Sequence, residues 1–431
     1  MNVLLTMIPQ NIEFRDQQKL YFPLSIYLLA SYVRNAGHEV SISCFPDPAT
    51  IKYDDWGKFD LVGFSCNTFN YADSCEVAEK LKSVNSNTKI LLGGIHVTHF
   101  PEDALKKEYI DLVIRGEGED SLVKLLKTNL KNELFSEVPG LSYKIDEKIF
   151  HNKLGSPIVL DSSTLLPAYD LIKGNLSNIP FETSRGCQNK CTFCSIDHKY
   201  KWRGFSEDVI MDRLDQCLSW FPNRNSIKSI ATTDDCFTTD TKRAKNILKA
   251  ITKKYPGISL RIEARIRDLL FDDELVDALA ECNLGMLQIG VECGYDEGLK
   301  RIRKGISTED VRKCAEKLSK RGIGRSCFFS YIIAMPWENK DDCHKTLSFA
   351  EEIFEKYRIP GNSVLWLPLP SVISEEYGLA RSEWYNRKGW WYDNEIFFES
   401  HANIKQSGFG EIMHRNQMFI QESLNYLGII M

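Results

Sequence analysis

From residue 1 to about 130, short apolar runs alternate with longer stretches in which apolar side chains recur at helical spacing. VLLTMI (3–8), EVSISCF (39–45), DLVGFSC (60–66), KILLGGI (89–95) and DLVIRG (111–116) are short, apolar and bounded by glycine or polar residues, which predicts buried strands. Between them, LSIYLLASYVRNAG and YADSCEVAEKLKSV carry the helical repeat, and the first closes on Asn-Ala-Gly, which suits a helix C-terminus. Continuously apolar strands alternating with helices predict an α/β unit with a doubly wound, Rossmann-like parallel sheet. Ligands of such sheets sit beyond the C-terminal ends of the strands.

The pattern breaks between 134 and 180, where LSYKIDEKIFHN reads as a hairpin and SPIVLDSSTLLPAYDLI as a connector. Alternation then resumes with IPFETSR, SIKSIATTDDCF, SLRIEAR, GMLQIGVE, RSCFFSYIIAM and NSVLWLPL as strands, followed by helix-like segments such as SEDVIMDRLDQCLSWF and DDELVDALAEC. Six such units predict a partial (β/α)6 TIM-type barrel. The expected divisions are 1–135, a hairpin and linker over 136–178, the barrel over 179–370, and a small aromatic-rich C-terminal region over 371–431. The rings of SEWYNRKGWWYDNEIFF could form a pocket wall or lid, and packing against the barrel is the expected role for most of them.

Composition narrows the class. A chain of 431 residues is too long for one core, and 43% hydrophobic with 26% charged residues is the balance of a globular protein. A net charge of -5 gives no attraction to phosphate backbones, which sets nucleic acid aside. MNVLLTMIPQ lacks the basic region and cleavage site of a secretion signal, and no apolar stretch reaches the length of about 18 residues that spans a bilayer. A cytoplasmic protein without a membrane partner is expected. The 13 cysteines are too irregularly spaced for a disulfide framework, and only Cys187, Cys191 and Cys194 form a tight group.

That group lies in RGCQNKCTFCSIDHKY (185–200) and admits three readings. A disulfide leaves one thiol over and suits an oxidising compartment. Zinc could take the three thiolates with His198 as the fourth ligand. An iron-sulfur cluster held by three thiolates leaves one iron open to another ligand. The loop follows the first strand of the barrel-like repeat, which places it at the barrel's catalytic face.

CQNKCTFC, followed by TTDDCF (232–237), RIEAR (261–265), LQIGVECGYDEGLKRIRKG (287–305) and YIIAMPWENKDD (331–342), resembles the radical SAM superfamily in its branch with a cobalamin-binding domain. PLSIYLLASYVRNAGHEV, DLVGFSCNT, LLGGIHVT and VIRGEGE resemble that branch's cobalamin-binding fold, so the resemblance covers about residues 1–370. It implies that Cys187, Cys191 and Cys194 ligate a 4Fe-4S cluster whose open iron binds S-adenosylmethionine (SAM), with Phe193 beside the adenine and no ligand duty for His198. Asp234, Asp235, Glu263, Arg265 and Glu292 become candidate SAM contacts. Read as residues alone, Glu263 and Glu292 could instead be buried carboxylates paired with Arg261 or Arg265, and Asp234 and Asp235 a strand-ending turn.

In the N-terminal domain the resemblance makes Ser65, Asn67, Thr68, Gly93, Gly94, His96, Gly116 and Glu117 candidate cobalamin contacts, all after expected strands. Paired glycines permit close backbone approach to a large ligand. No Asp-x-His-x-x-Gly occurs, so the histidine that ligates cobalt in many cobalamin enzymes is missing, and a domain that keeps the fold without the ligand is the alternative.

The implied reaction is reductive cleavage of SAM to a 5'-deoxyadenosyl radical and methylation of an unactivated carbon in a natural-product or peptide substrate. An external donor such as a flavodoxin or ferredoxin would supply the electron. Without cobalamin, the same radical would serve an epimerase, dehydratase or cyclase. Cys236, Cys293 and Cys327 are then candidate hydrogen donors, or else inert packing. A non-catalytic cobalamin or redox sensor is the reading from another class. No second cysteine cluster follows Cys194 and no basic RNA-binding module is visible, which argues against an auxiliary cluster and against tRNA methylthiolation.

Overall fold

Five of the apolar runs become β1 (Asn2–Met7), β2 (Glu39–Cys44), β3 (Leu61–Ser65), β4 (Lys89–Gly93) and β5 (Leu112–Ile114). They pair in parallel in the order β2-β1-β3-β4-β5. Val3, Leu61, Val62, Ile90, Leu92 and Val113 are wholly out of solvent, as residues of a sheet covered on both faces must be. The helices are α1 (Leu24–Asn35), α2 (Tyr71–Val84), the short α3 (Ile95–His99) and α4 (Glu119–Lys127). The strand order reverses between β1 and β3, which makes the loops beyond their C-terminal ends the expected ligand crevice.

This computed structural model describes residues 1–10, 23–162, 165–172, 178–196, 201–221, 227–404 and 406–428. Two compact units divide the chain. The first comprises Met1–Leu176, Gln216–Pro222 and Arg381–Asp393; the second comprises Ser177–Asp215, Asn223–Ala380 and Asn394–Met431.

The hairpin expected to begin the linker belongs to the first sheet instead. Its strands, β6 (Leu141–Ile145) and β7 (Lys148–His151), continue the sheet antiparallel from β5, with Ile114 opposite Leu141. A fully buried β5 left as an edge would expose unpaired backbone groups, and β6 covers them.

The aromatic tail also departs from expectation, because residues 381–393 pack on the first unit rather than on the barrel. Trp390, 1% exposed, donates its indole N–H to the Thr68 carbonyl at 3.1 Å and stacks on Phe69 with centroids 5.9 Å apart. Tyr385 stands edge-on to His96 at 5.5 Å, Asn386 donates to the Asp103 carboxylate at 3.0 Å, and Lys388 pairs with Asp73 and Glu76. The loops after β3 and β4 offer aromatic faces at Phe69, His96 and Phe100, and the tail's rings bury them. Phe397, His401 and Phe409, by contrast, pack together in the second unit, where Phe397 and Phe409 meet Ile333, Leu347 and Ile412.

The second unit contains β8 (Asn178–Phe181), the short antiparallel pair β9 (Ser184–Arg185) and β10 (Arg203–Gly204), then β11 (Ser229–Thr232), β12 (Ser259–Ala264), β13 (Leu284–Glu292), β14 (Cys327–Ile333) and β15 (Gly361–Leu365). Apart from β9 and β10, these strands form one parallel sheet in chain order, the partial barrel that the sequence predicts. Among its helices are α5 (Thr241–Lys254), α6 (Asp273–Glu281), α7 (Thr308–Lys320), α8 (Lys340–Tyr357) and α9 (Gln406–Leu427). Reciprocal caps start two of them: Ser307 with Asp310 opens α7, and Asn339 with Asp342 opens α8. On β14, Cys327, Phe329, Tyr331 and Ile333 are buried while Phe328, Ser330 and Ile332 are more open. Ile333 packs on Leu347 of α8 and Ile412 of α9, so the buried face is the helix side. Among the described residues no helix is long and apolar enough to cross a membrane.

Because Trp390 fills a closed aromatic site, Trp390→Ala should cost the first unit roughly 3–5 kcal/mol. Hydrogen-exchange mass spectrometry should then show faster exchange in residues 66–70 and 94–100, with β13 and β14 unchanged.

Candidate functional site

The cysteine loop is aimed by two carboxylates at the end of β11. Asp234 is buried, and its Oδ1 accepts from the backbone N–H groups of Thr183 and Ser184 at 2.7 and 3.0 Å. Its Oδ2 accepts from the Ser184 hydroxyl at 2.6 Å and from the Thr183 hydroxyl. Burial pushes this carboxyl up to about 6, against the hydrogen bonds that pull it down. Asp235 Oδ2 accepts from the N–H of Gly186 at 2.8 Å, and Gly186 takes a φ of 83° that a side chain would resist. The turn residues foreseen at 234–235 therefore grip the start of the loop, and Asp234 has its oxygens committed to protein donors.

Cys187, Cys191 and Cys194 follow as free thiols. The N–H of Asn189 points at the Cys187 sulfur at 3.4 Å, and the Cys194 N–H bonds the Cys191 carbonyl at 3.2 Å. The three sulfurs sense one another electrostatically, and burial raises Cys191 and pushes Cys194 up to about 11. Among the described residues no three His, Cys, Asp or Glu side chains are grouped as ligands of a single metal ion. His198 lies outside the described residues.

Charged groups surround this loop. Glu292, at the end of β13, has a φ of 77°, and the register with β14 shifts between Gly290 and Glu292. The bulge and left-handed backbone, a conformation costing roughly 1–3 kcal/mol, redirect the carboxylate to Lys304 Nζ at 2.8 Å. Glu292 is thus paired, but with Lys304 rather than with Arg261 or Arg265. Arg265 makes a two-pronged contact with Asp268 at 2.8 and 2.7 Å and reaches Asn189 Oδ1 at 3.2 Å. Phe193 lies beneath Lys304, whose Nζ is 5.8 Å from the ring centroid.

Glu263, near the end of β12, has no hydrogen-bond partner among the described residues. Its carboxyl is pushed up to about 7 by burial first, then by the charges of Asp235, Asp234 and Glu292. Solvent reaches it from the open side while protein encloses it on the others. A carboxylate without a hydrogen-bond partner among the described residues and with three others acting on it favours a cation.

The remaining sulfur candidates are closed off. Cys236, Cys293 and Cys327 are 2%, 0% and 1% exposed, and burial raises all three thiols. Cys327 shares the helix side of β14 with Tyr331 and Ile333.

In the first unit, all the expected cobalamin contacts lie at the C-terminal strand ends, in Ser65–Thr68 after β3, Gly93–His96 after β4 and Gly116–Glu117 after β5. Cys66 N–H bonds the Gly93 carbonyl at 2.8 Å, and Gly116 N–H bonds Thr98 Oγ1 at 3.0 Å, which ties the three loops together. Gly94, at a φ of 101°, lies so close to Cys66 that a Cβ would stand 2.5 Å from its carbonyl oxygen. Thr68 and His96, two of the candidate cobalamin contacts, are buried beside Trp390 and Tyr385. His96 is held neutral, its value lowered to about 3 by burial and then by His99. Glu117 accepts from the N–H of Ile158 at 2.8 Å, a contact within the unit. Ser65, Asn67, Gly93, Gly94 and Gly116 stay partly open.

The sequence reading missed Thr183, Ser184, Asn189, Asp268 and Lys304. Arg265 and Asp268 stand three apart at the start of a helix, a spacing that brings side chains together. Lys304 lies inside the motif 287–305 but twelve residues from Glu292, with no local signal linking them.

Comparison with known proteins adds an independent line. Residues 181–350 match the Radical SAM superfamily and residues 18–126 match the B12 binding domain. An uncharacterized methyltransferase of Pyrococcus horikoshii is 31% identical over 382 residues, 84% of this chain and 79% of that protein. The hopanoid C-3 methylase of Methylococcus capsulatus is 28% identical over 338 residues, 74% of this chain and 62% of its own. Among solved structures, the cobalamin-dependent S-adenosylmethionine radical enzyme OxsB with aqua-cobalamin bound superposes with a TM-score of 0.69 at 22% identity. That superposition covers 89% of this chain and 56% of OxsB, so the likeness is one of fold.

The Glu263 environment has a pH signature. Its folded value, about 7 against an ordinary 4.5, means that stabilisation present in acid is lost as pH rises through about 7. Thermal melts of the apo-protein between about pH 5 and about pH 8 should therefore show a smaller decline with pH for Glu263→Gln than for the wild type.

Proposed function

The chain belongs to the radical SAM superfamily, in its branch with an N-terminal B12 binding domain, and from that premise we propose that it is a cobalamin-dependent methyltransferase acting on an unactivated carbon of a small-molecule or peptide substrate. The observation that carries the reading is the cysteine loop set among carboxylates, one of them, Glu263, without a hydrogen-bond partner among the described residues. When bound, the cluster and SAM supply one-electron chemistry at carbon, and cobalamin supplies a methyl carrier.

The chain's own residues would hold and orient these groups. Cys187, Cys191 and Cys194 offer three thiolates on one loop, stiffened by the Asp234 and Asp235 contacts at its start. Binding would expel their protons, because burial keeps the Cys191 and Cys194 thiols neutral in the free protein. Glu263 and Asp235 would accept from the ammonium or ribose of SAM, and Phe193 would offer a flat apolar face. Arg265, clamped by Asp268, would hold Asn189 and with it the middle of the loop. In the first unit the backbone at Gly93, Gly94 and Gly116, with Ser65 and Asn67, offers the close approach that a corrin ring needs.

An epimerase requires a thiol that can reach substrate. Burial of Cys236, Cys293 and Cys327 gives that alternative no support. The electron would come from an external donor of flavodoxin or ferredoxin type.

The full chain, reconstituted anaerobically with iron and sulfide and given SAM and a strong reductant, should form 5'-deoxyadenosine and show cobalamin absorbance after incubation with that cofactor. Cys187→Ala, Cys191→Ala or Cys194→Ala should each abolish 5'-deoxyadenosine formation and lower bound iron. A cluster-loaded wild type that forms none with any reductant would overturn the reading.

A further inference from the structure

Lys304 occupies a position that the cysteine ligands, the carboxylates and the family reading leave without a task. The chain reaches it through left-handed backbone on both sides, with a φ of 55° at Arg303 and 74° at Gly305. Thr192, between Cys191 and Phe193, fastens the cysteine loop to this turn: its N–H bonds the Ile302 carbonyl at 3.1 Å and its hydroxyl bonds the Arg301 carbonyl at 3.4 Å. The turn closes on itself through Lys304 N–H to the Leu299 carbonyl at 3.0 Å. The ammonium is thereby locked against the loop and covers Phe193.

Three features of β13 exist to receive it. The register shift after Gly290 and the positive φ of Glu292 turn the carboxylate onto Nζ, and both side chains are only 11% exposed. Gly290 supplies the room, since a Cβ there would stand 2.9 Å from Nζ and collide with the Glu292 carboxylate. Burial alone would strip the proton from this amine. The Glu292 carboxylate at 2.8 Å outweighs burial and keeps it an ammonium. Lys304 and Glu292 therefore form a buried dipole beside the thiols.

The geometry points to Lys304 as a positioning residue that sets the reduction potential of the cluster, its fixed positive charge favouring the added electron, with Glu292 moderating it. A cluster's potential follows its net charge, hydrogen bonding and exposure, and a charge in a poorly solvated site acts on it with little screening. This proposal rests on the reading that Cys187, Cys191 and Cys194 hold a 4Fe-4S cluster.

The test is a potentiometric titration of the reconstituted full chain with dithionite and mediators, without SAM, followed by electron paramagnetic resonance of the one-electron-reduced cluster. At the wild-type midpoint, Lys304→Met should lower the ratio of reduced to oxidised cluster by about tenfold, which is about 59 mV for one electron. Glu292→Gln, which removes the opposing charge, should move the midpoint upward. Packing damage alone would not give shifts of opposite sign. If Lys304→Met fails to load iron, Glu292→Gln decides: an unchanged or lowered midpoint overturns the proposal. An unmoved midpoint in a fully loaded Lys304→Met chain overturns it as well. A wild type that takes up no cluster overturns the underlying reading, and a loaded cluster with an unmoved potential overturns the proposal alone.

Discussion

Asp234 joins two strand ends of the second unit through one pair of oxygens. It stands just past β11, and the donors it accepts, two backbone N–H groups and two hydroxyls, belong to Thr183 and Ser184 just past β8. Each of those donors, left unbonded at that depth, would carry a desolvation penalty, so the loop has little freedom to leave. Everything downstream inherits that placement. Gly186 is gripped by the next carboxylate, the three cysteines follow within eight residues, and Thr192 is then pinned to the turn before Lys304. A buried carboxylate held by uncharged donors leaves its charge uncompensated, and that charge is one of the reasons Glu263 is raised.

Around the second unit's cysteine loop, the cations Arg265 and Lys304 each have a carboxylate partner. Arg265 is committed to Asp268, and Lys304 to Glu292. Asp234 and Asp235 act electrostatically on Glu263, which bears the cost as a raised pKa. A carboxylate raised by like-charged neighbours is unfavourable in a finished protein and understandable in a binding site, where a cation arrives with the ligand. The first unit presents a different surface. Its strand ends offer mainly backbone, glycines and short polar side chains, and its histidine is folded inward under rings from residues 381–393.

Those rings mark where reading along the chain fails. The run SEWYNRKGWWYD lies more than two hundred residues beyond the first unit's last strand, and a Trp-rich stretch carries no sign of which unit it will enter. What decides is the aromatic lining of the loops after β3 and β4 and the acidic side chains of Asp73, Glu76 and Asp103, which meet Lys388 and Asn386. The hairpin at 141–151 was legible as a hairpin, but its membership in the sheet depended on β5 needing a neighbour. Glu292 was legible as a carboxylate at a strand end, whereas its partner was not, because a bulge turns it onto Lys304 rather than onto Arg261 or Arg265, the neighbours that the pairing of buried charges suggested.

The sequence by itself determined the elements and the cysteine group. Runs of apolar residues of strand length, separated by helical repeats, permit little besides parallel sheets covered on both faces, and three cysteines in eight residues on a strand-end loop mark that loop as the candidate site, with the resemblance implying a cluster there. Those are local properties, encoded in neighbours along the chain. Only the tertiary structure decided which charges face which: that Asp234 serves as a staple, that Glu263 is the open carboxylate, that Cys236, Cys293 and Cys327 are sealed, and that Lys304 reaches the cysteine loop. These pairings bring together residues from 12 to more than 100 positions apart, on different strands and turns, and electrostatic roles depend on distance and burial in space, which no spacing along the chain specifies.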